Sequence, residues 1–366
     1  MAITPVHEKF DIITRGEGLA MKGVGILLIA THNLAHLMKT TKFDCNEFNF
    51  EQGSADALYQ ILSHPTHNIL LQLSTLLGYC GIYIFLFLSA FGLVRKYEQT
   101  PTRMLAPHAF VGLHYKKLFK LMLPGLVAAI LVRALLPSFT IPLKRCIVTQ
   151  TLMISNWMNP PYEYVFPGPY WFLGMMVEMY VIYRLFLYAP QGCAQWRKWL
   201  PPIAFAVVTL APQFYWSTAG WQMICLRYNF FVAGLSFAAG LLVARYGGIP
   251  RMSRGAWAMV CVASVALFLL MQQTAVLWIL SSIVAAVSII AFVKALPPMV
   301  MPPLEWVGKI SAFLFIMHPV VRYFALTLQG RIGNHLLMLL YLIASLLAAA
   351  AYHRIAPHIP WPKWLR

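Results

Sequence analysis

The sequence predicts an all-α fold: a polytopic transmembrane helical bundle of about ten spans, filling residues 20–352 as one domain. Three observations predict it. Hydrophobic residues make up 60% of the chain and charged residues only 11%, where soluble domains carry roughly 25%. Mean hydropathy is +0.68. The apolar residues fall in helix-length runs parted by short basic stretches. Lipid is the solvent for such a surface, and continuous runs exclude a β-barrel, whose strands alternate.

A span needs about 20 mainly apolar residues. Runs of that kind lie at 20–38, 76–94, 118–136, 170–189, 201–217, 228–245, 256–271, 274–294, 308–326 and 335–352. A further run at 146–158 is short and polar, with Thr149, Gln150, Thr151, Ser155 and Asn156. The net charge of +17 would point to nucleic acid in a soluble protein. Here the basic residues cap the apolar runs, so topology accounts for them and no nucleic-acid partner is expected. If 146–158 does not cross, the stretches Arg95–Arg103, His114–Lys120, Arg197–Lys198, Arg245–Arg254 and His353–Arg366 share one side. The acidic stretch Asp44–Asp56 then faces the other. Both termini are expected in the cytoplasm, with 1–19 a cytoplasmic segment and 353–366 a basic tail. The segment 137–169 becomes an outer loop with a re-entrant or interfacial piece. No signal peptide, internal repeat or second soluble domain is evident. The expected location is a bacterial inner membrane.

An ionisable side chain inside a span is expensive, so each is a functional candidate. Among the acids only Glu178 falls within a run. The basic candidates are Arg133, Arg227 and Arg322, and the histidines are His32, His36 and His318. At ~1.5 Å per residue, His32 lies about 15 Å past Lys22, His318 about 15 Å past Gly308, and Glu178 about 12 Å past Tyr170. In a ~30 Å core all three reach mid-depth. Three helices placing titratable groups at one depth points to one shared site. Histidine suits general-base work because it titrates near neutrality, and a carboxylate beside it can steady the imidazolium. The blander readings stand beside these. Membrane histidines also serve only to bond a neighbouring helix, Glu178 can be an arginine's structural partner, and Arg133 and Arg322 can snorkel to an interface.

Five stretches resemble the acyltransferase-3 family. Lys22-Gly-Val-Gly-Ile-Leu-Leu-Ile-Ala-Thr-His32-Asn33 is similar to the family's first-helix motif, a basic residue followed by a mid-membrane histidine. The family's usual arginine is Lys22 here, and nine residues intervene instead of ten. Phe85-Leu-Phe-Leu-Ser-Ala-Phe-Gly-Leu93 resembles its second span, with Ala90 where glycine is usual. Lys116-Lys-Leu-Phe-Lys-Leu-Met-Leu-Pro124 resembles a basic run before a proline. Gly168-Pro-Tyr-Trp-Phe-Leu-Gly-Met-Met-Val-Glu-Met-Tyr180 and Gly308-Lys-Ile-Ser-Ala-Phe-Leu-Phe-Ile-Met-His-Pro319 resemble the later tryptophan-bearing and histidine-bearing segments. The five occur in family order across 22–319.

The resemblance implies an acyl-CoA-dependent O-acyltransferase. Such an enzyme moves an acyl group, most often acetyl from acetyl-CoA, onto a hydroxyl of an extracytoplasmic glycan or glycolipid. The expected catalytic residues are His32, Glu178 and His318. Lys22, Asn33, His36, Trp171, Ser311, Arg133 and Arg322 are expected around the acceptor. Lys116, Lys117 and Lys120 are expected to attract the CoA phosphates. His36, one turn beyond His32, is expected to hold that ring's second nitrogen, while Asn33 points about 100° away around the helix. Ser311 is expected to share a face with Gly308 and His318. The six cysteines are scattered without CxxC spacing, so no metal is expected; Cys45, Cys146 and Cys225 can share one side of the membrane, where a disulfide is the alternative to the expected free thiols. The competing classes are a transporter or flippase, for which no pair of Gly/Pro-broken helices in two related halves is visible, and a glycan polymerase, for which the outer loops hold few arginines.

Overall fold

The computed structural model describes residues 13–99, 105–136, 144–247 and 249–365. The first twelve residues of the expected cytoplasmic segment, Arg103, residues 137–143 of the expected outer loop and Arg366 lie outside the described residues. Every regular element among the described residues is helical. Seven helical runs are long and apolar enough to cross a membrane: Arg15–Met38, Ile69–Glu98, Pro107–Leu135, Gly168–Leu187, Arg254–Met271, Ala275–Ala295 and Asn334–His358. Two more qualify only as bent pairs. Gly220–Arg227 meets Phe230–Tyr246 at 76°, and Pro298–Lys309 meets Ser311–Thr327 at 71°. The described chain therefore holds seven to nine candidate spans. The remaining expected run, 201–217, falls on α8 (Trp196–Tyr215), which includes Pro201, Pro202 and Pro212 and is not among them. The polar run near 146 forms α6 (Lys144–Thr151), eight residues or about 12 Å, too short to cross.

Helix α1 (Arg15–Ala35) begins five residues before the expected start because Thr14 and Glu17 form a capping box. Thr14 Oγ1 accepts from the Glu17 amide at 3.2 Å, and Glu17 Oε2 accepts from the Thr14 amide at 2.8 Å. Glu17 Oε1 also accepts from Lys294 Nζ at 2.9 Å, tying this end to α12 (Ala275–Ala295). Glycines let α1 cross its neighbours at backbone distance. A Cβ on Gly308 of α13 (Met301–Lys309) would run into the Leu19 carbonyl, and one on Gly81 of α4 (Gly81–Leu93) into the Gly25 carbonyl.

Several expectations are corrected. Gly308 does not share a helix face with Ser311 and His318, because the chain breaks at Ile310 between α13 and α14 (Ser311–Thr327). Broken helices, unseen in the sequence, exist at two places. Glu178 is also not the only buried acid at span level. Glu98 closes the run Ile69–Glu98 and pairs with Arg245 at 2.7 Å, while accepting from the Tyr183 hydroxyl at 3.0 Å. The basic stretch His114–Lys120 is no loop either; it lies inside α5 (Pro107–Leu135).

Candidate active site

A cavity of ≈ 490 Å³ is bounded by α1, by the loop that follows it, by the start of α7 (Trp171–Ile182) and by α14. His32 stands in its wall, 3% exposed. Its ring is held from behind. The short helix α3 (Ile69–Leu77) ends beside it, and the last four carbonyls of a helix lack in-helix partners. The Thr75 carbonyl lies 3.1 Å from His32 Nδ1, and the Ser74 carbonyl, which also accepts from the Gly78 amide, 3.2 Å. Carbonyl oxygens only accept, so Nδ1 carries a proton, and in the neutral ring the lone pair lies on Nε2. Gly78 makes the approach possible: a Cβ there would lie 2.6 Å from His32 Cβ and 2.8 Å from the Leu28 carbonyl.

Nε2 looks toward the loop after α1. Glu47 Oε2 is 3.5 Å away and Cys45 Sγ 3.8 Å away. That loop is pinned by polar bonds from distant elements. Arg227, at the end of α9 (Gly220–Arg227), donates from Nε to the Glu47 carbonyl at 2.8 Å. Its other nitrogens donate to Gln213 Oε1 at 3.1 Å and the Tyr83 hydroxyl at 2.7 Å, and its guanidinium covers Trp278 at 4.3 Å. Trp278 Nε1 donates to the Asn46 carbonyl at 2.8 Å. The Glu51 amide donates to Asn46 Oδ1 at 3.0 Å, closing the loop on itself. Burial pushes the Cys45 thiol above its ordinary value, with the nearby imidazole opposing.

Arg322 approaches from α14 and lines the same cavity, 8% exposed. One Nη1 donates to both the Asn33 carbonyl and Asn33 Oδ1, each at 3.1 Å. Its Nε is buried with no hydrogen-bond partner among the described residues. Aromatic rings form the opposite wall. Phe48 stacks on Tyr228 at 4.2 Å and meets Trp171 edge-on at 5.3 Å. Asp44 and Glu51 join Glu47 in the lining, so three of the chain's eleven acids meet in one cavity of a protein charged +17.

The structure thus gathers His32, Asn33, His36, Trp171 and Arg322 around one space. His36 does not hold the second nitrogen of His32. Its Nδ1 lies 3.1 Å from the His32 carbonyl, with the rings 5.2 Å apart. The other expected residues do not line this cavity. His318 is fully buried, its Nδ1 2.9 Å from the Leu314 carbonyl and its Nε2 without a partner among the described residues. Ser311 is buried at the start of α14. Lys22 is half-buried on α1. Arg133 lies over the rings of Phe166 and Tyr323 at 5.5 and 5.3 Å. Lys116, Lys117 and Lys120 line one stretch of α5, with Lys96 facing Lys117. Glu178 serves a helix break. Its Oε2 accepts from the Phe230 amide at 2.9 Å, where α9 gives way to α10 (Gly234–Tyr246), and its Oε1 accepts from Asn156 Nδ2. A freed backbone amide at membrane depth needs such an acceptor.

Sequence reasoning missed Glu47, Cys45 and the pinning role of Arg227. The signal available was density: Asp44, Glu47, Glu51 and Asp56 crowd acid into one short stretch of a basic chain, interleaved with Phe43, Phe48 and Phe50. The donor atoms of His32, Cys45 and Glu47 lie within 4.8 Å of one another and are the group able to hold a metal ion among the described residues.

Chemically, the arrangement offers a tautomer-fixed base, a carboxylate to balance its charge, a cation beside it and a stacking wall. A family model described as an acyltransferase domain, that of acyltransferase-3, matches residues 20–354. No curated protein and no solved structure matches the chain. With the family match spanning nearly the whole helical bundle, the chain belongs to the acyltransferase-3 family and is a multi-pass membrane acyltransferase.

Proposed function

We propose that this protein moves an acyl group, acetyl foremost, from cytoplasmic acyl-CoA to a hydroxyl of a glycan or glycolipid on the far side of a bacterial inner membrane. With α8 crossing beside the nine candidate spans, both termini lie in the cytoplasm. The observation that carries the reading is the His32 ring, its Nδ1 spent on the Ser74 and Thr75 carbonyls and its Nε2 aimed into the cavity. In the reaction, Nε2 takes the proton from the acceptor hydroxyl as its oxygen attacks the thioester carbonyl carbon. The C–S bond then breaks, and the imidazolium returns the proton to the leaving CoA sulfur. Glu47, 3.5 Å from Nε2, steadies the imidazolium in between. The Arg322 guanidinium is placed to stabilise the oxyanion of the tetrahedral intermediate.

Charge divides the two substrates. A CoA phosphate is repelled by Asp44, Glu47 and Glu51 around the cavity and attracted by Lys116, Lys117 and Lys120 on α5. A neutral sugar ring suits the other side, stacking on Phe48, Trp171 and Tyr228 with hydroxyls toward the acids. The two broken helices favour, as the second reading, a transporter or flippase of a polar or glycolipid substrate. Mass spectrometry of surface glycans from cells with and without the protein separates the readings. A glycan lacking one short acyl mass in its absence supports transfer. Unmodified glycan mass with an altered surface amount supports transport and defeats the acyl-transfer reading.

A further inference from the structure

The His32, Cys45 and Glu47 cluster has a second chemistry. A zinc ion binds nitrogen at about 2.0–2.1 Å, oxygen at about 2.0–2.2 Å and thiolate at about 2.3 Å, so the donor atoms of a tetrahedral site stand roughly 3.3–3.6 Å apart. His32 Nε2 is 3.5 Å from Glu47 Oε2 and 3.8 Å from Cys45 Sγ, and the three donors fall within 4.8 Å of one another. Sub-ångström side-chain adjustments close that set onto one ion. The donors are one borderline imidazole, one soft thiolate and one hard carboxylate, a mixed nitrogen, sulfur and oxygen set. That excludes the hard cations, which take all-oxygen sets, and suits zinc.

The surroundings are built as a metal site is built. Metal-bound histidines donate their other ring N–H to a carbonyl or carboxylate, which fixes the ring and the tautomer. His32 Nδ1 has that arrangement with Ser74 and Thr75. The loop bearing the other two donors is already immobilised by Arg227 on the Glu47 carbonyl and Trp278 on the Asn46 carbonyl. Asp44 and Glu51 line the same cavity and draw divalent cations toward it. Three protein donors leave a fourth position open to the cavity for water, as in exchangeable rather than closed structural sites.

We infer that His32 Nε2, Cys45 Sγ and Glu47 Oε2 form a zinc-binding site, and that zinc bound there turns acyl transfer off. Binding displaces the Cys45 thiol proton to solvent and forms three coordinate bonds, with no change of oxidation state. The second half rests on the acyl-transfer reading above: the lone pair that serves as base is the one the ion takes.

The test uses the full-length protein in detergent, stripped by a chelator and titrated with cobalt(II) as a spectroscopic probe for zinc. The expected result is one equivalent bound per chain, with a thiolate-to-cobalt charge-transfer band and tetrahedral ligand-field bands, all displaced by zinc. Cys45→Ser removes the charge-transfer band and weakens zinc binding by at least about tenfold, since even supporting residues around metals are worth roughly 10–100-fold. Glu47→Gln keeps the band but weakens binding. Thermal unfolding of each variant without metal confirms the fold. Absence of the band in the folded wild type, or the band persisting in Cys45→Ser, overturns the site. Zinc inhibition is then read against each variant's own zinc-free rate, with Cys45→Ser expected to need at least tenfold more zinc. Saturating zinc that leaves or raises the wild-type rate overturns the off-switch. The cobalt spectrum needs no acyl transfer, so a protein that binds metal but transfers no acyl group refutes the enzymatic reading alone.

Discussion

Substituting Gly78 with alanine tests how finely His32 is placed. Gly78 sits at the turn between α3 and α4, against the backbone of α1. An alanine Cβ there would stand 2.6 Å from His32 Cβ and 2.8 Å from the Leu28 carbonyl oxygen, where ordinary contact begins at 3.4 Å. The two segments must therefore part by about 0.6–0.8 Å, the difference between those distances. Neither atom is the end of a flexible side chain, so backbone has to move. Gly78 directly follows α3, whose carbonyls hold Nδ1, so the movement disturbs that contact. Overpacking of this kind costs about 1–3 kcal/mol of stability, and a 1 Å misplacement of a catalytic group costs on the order of 10²-fold in rate. Gly92, on α4, is the control, because a Cβ there meets nothing within 4 Å. Acyl transfer to an acceptor glycan and thermal unfolding, both on purified protein in detergent, give the readout. Gly78→Ala is expected to lose one to two orders of magnitude in turnover while Gly92→Ala stays near wild type. Wild-type turnover in a folded Gly78→Ala protein, or an equal loss in both variants, refutes the reasoning.

Three further outcomes follow from the same geometry. Glu178→Ala strands the Phe230 amide and leaves Asn156 Nδ2 with Asn229 Oδ1 as its acceptor, and should lower unfolding stability by about 1–3 kcal/mol for the unsatisfied amide. Glu178→Gln retains an acceptor and should fold with a partial loss of turnover, so a thermal midpoint for Glu178→Ala equal to wild type contradicts the helix-break role. Arg227→Ala releases the Glu47 loop and should reduce turnover and stability together, the latter by at least the roughly 1.5–3 kcal/mol of one charged hydrogen bond; unchanged turnover would show the loop is held without it. Replacing Lys116, Lys117 and Lys120 together by alanine should raise KM for acyl-CoA tenfold or more and flatten its salt dependence, with kcat little altered. An unchanged KM removes those lysines from donor binding.

The bundle was legible in the sequence because long uniform runs such as those of α12 and of α15 (Asn334–Ile355) carry their own hydrophobic signal. The breaks were not. The runs 228–245 and 308–326 read as straight spans, yet the chain bends just before Phe230 and at Ile310. What stabilises the first break is Glu178, an acceptor some fifty residues away in sequence, which no local pattern discloses. The site divides the same way. His32 and Arg322 were found because ionisable groups in apolar runs are conspicuous. Glu47 and Cys45 lie in a polar loop where such residues are ordinary. Only the fold, through Arg227 and Trp278, brings them to Nε2. His318 satisfied every sequence criterion, but its depth was counted along an unbroken helix from Gly308, and the chain breaks at Ile310; the cavity is lined by Arg322, one turn further along α14.

The central claim is that His32 is the general base. The most direct measurement is transfer of labelled acetyl from acetyl-CoA to an acceptor glycan by purified, folded His32→Ala protein, beside wild type and His36→Ala. A positioned base contributes roughly 10²–10⁴-fold, so His32→Ala should transfer at least 10²-fold more slowly, with His36→Ala affected less. A folded His32→Ala protein transferring within a few-fold of wild type would contradict the account.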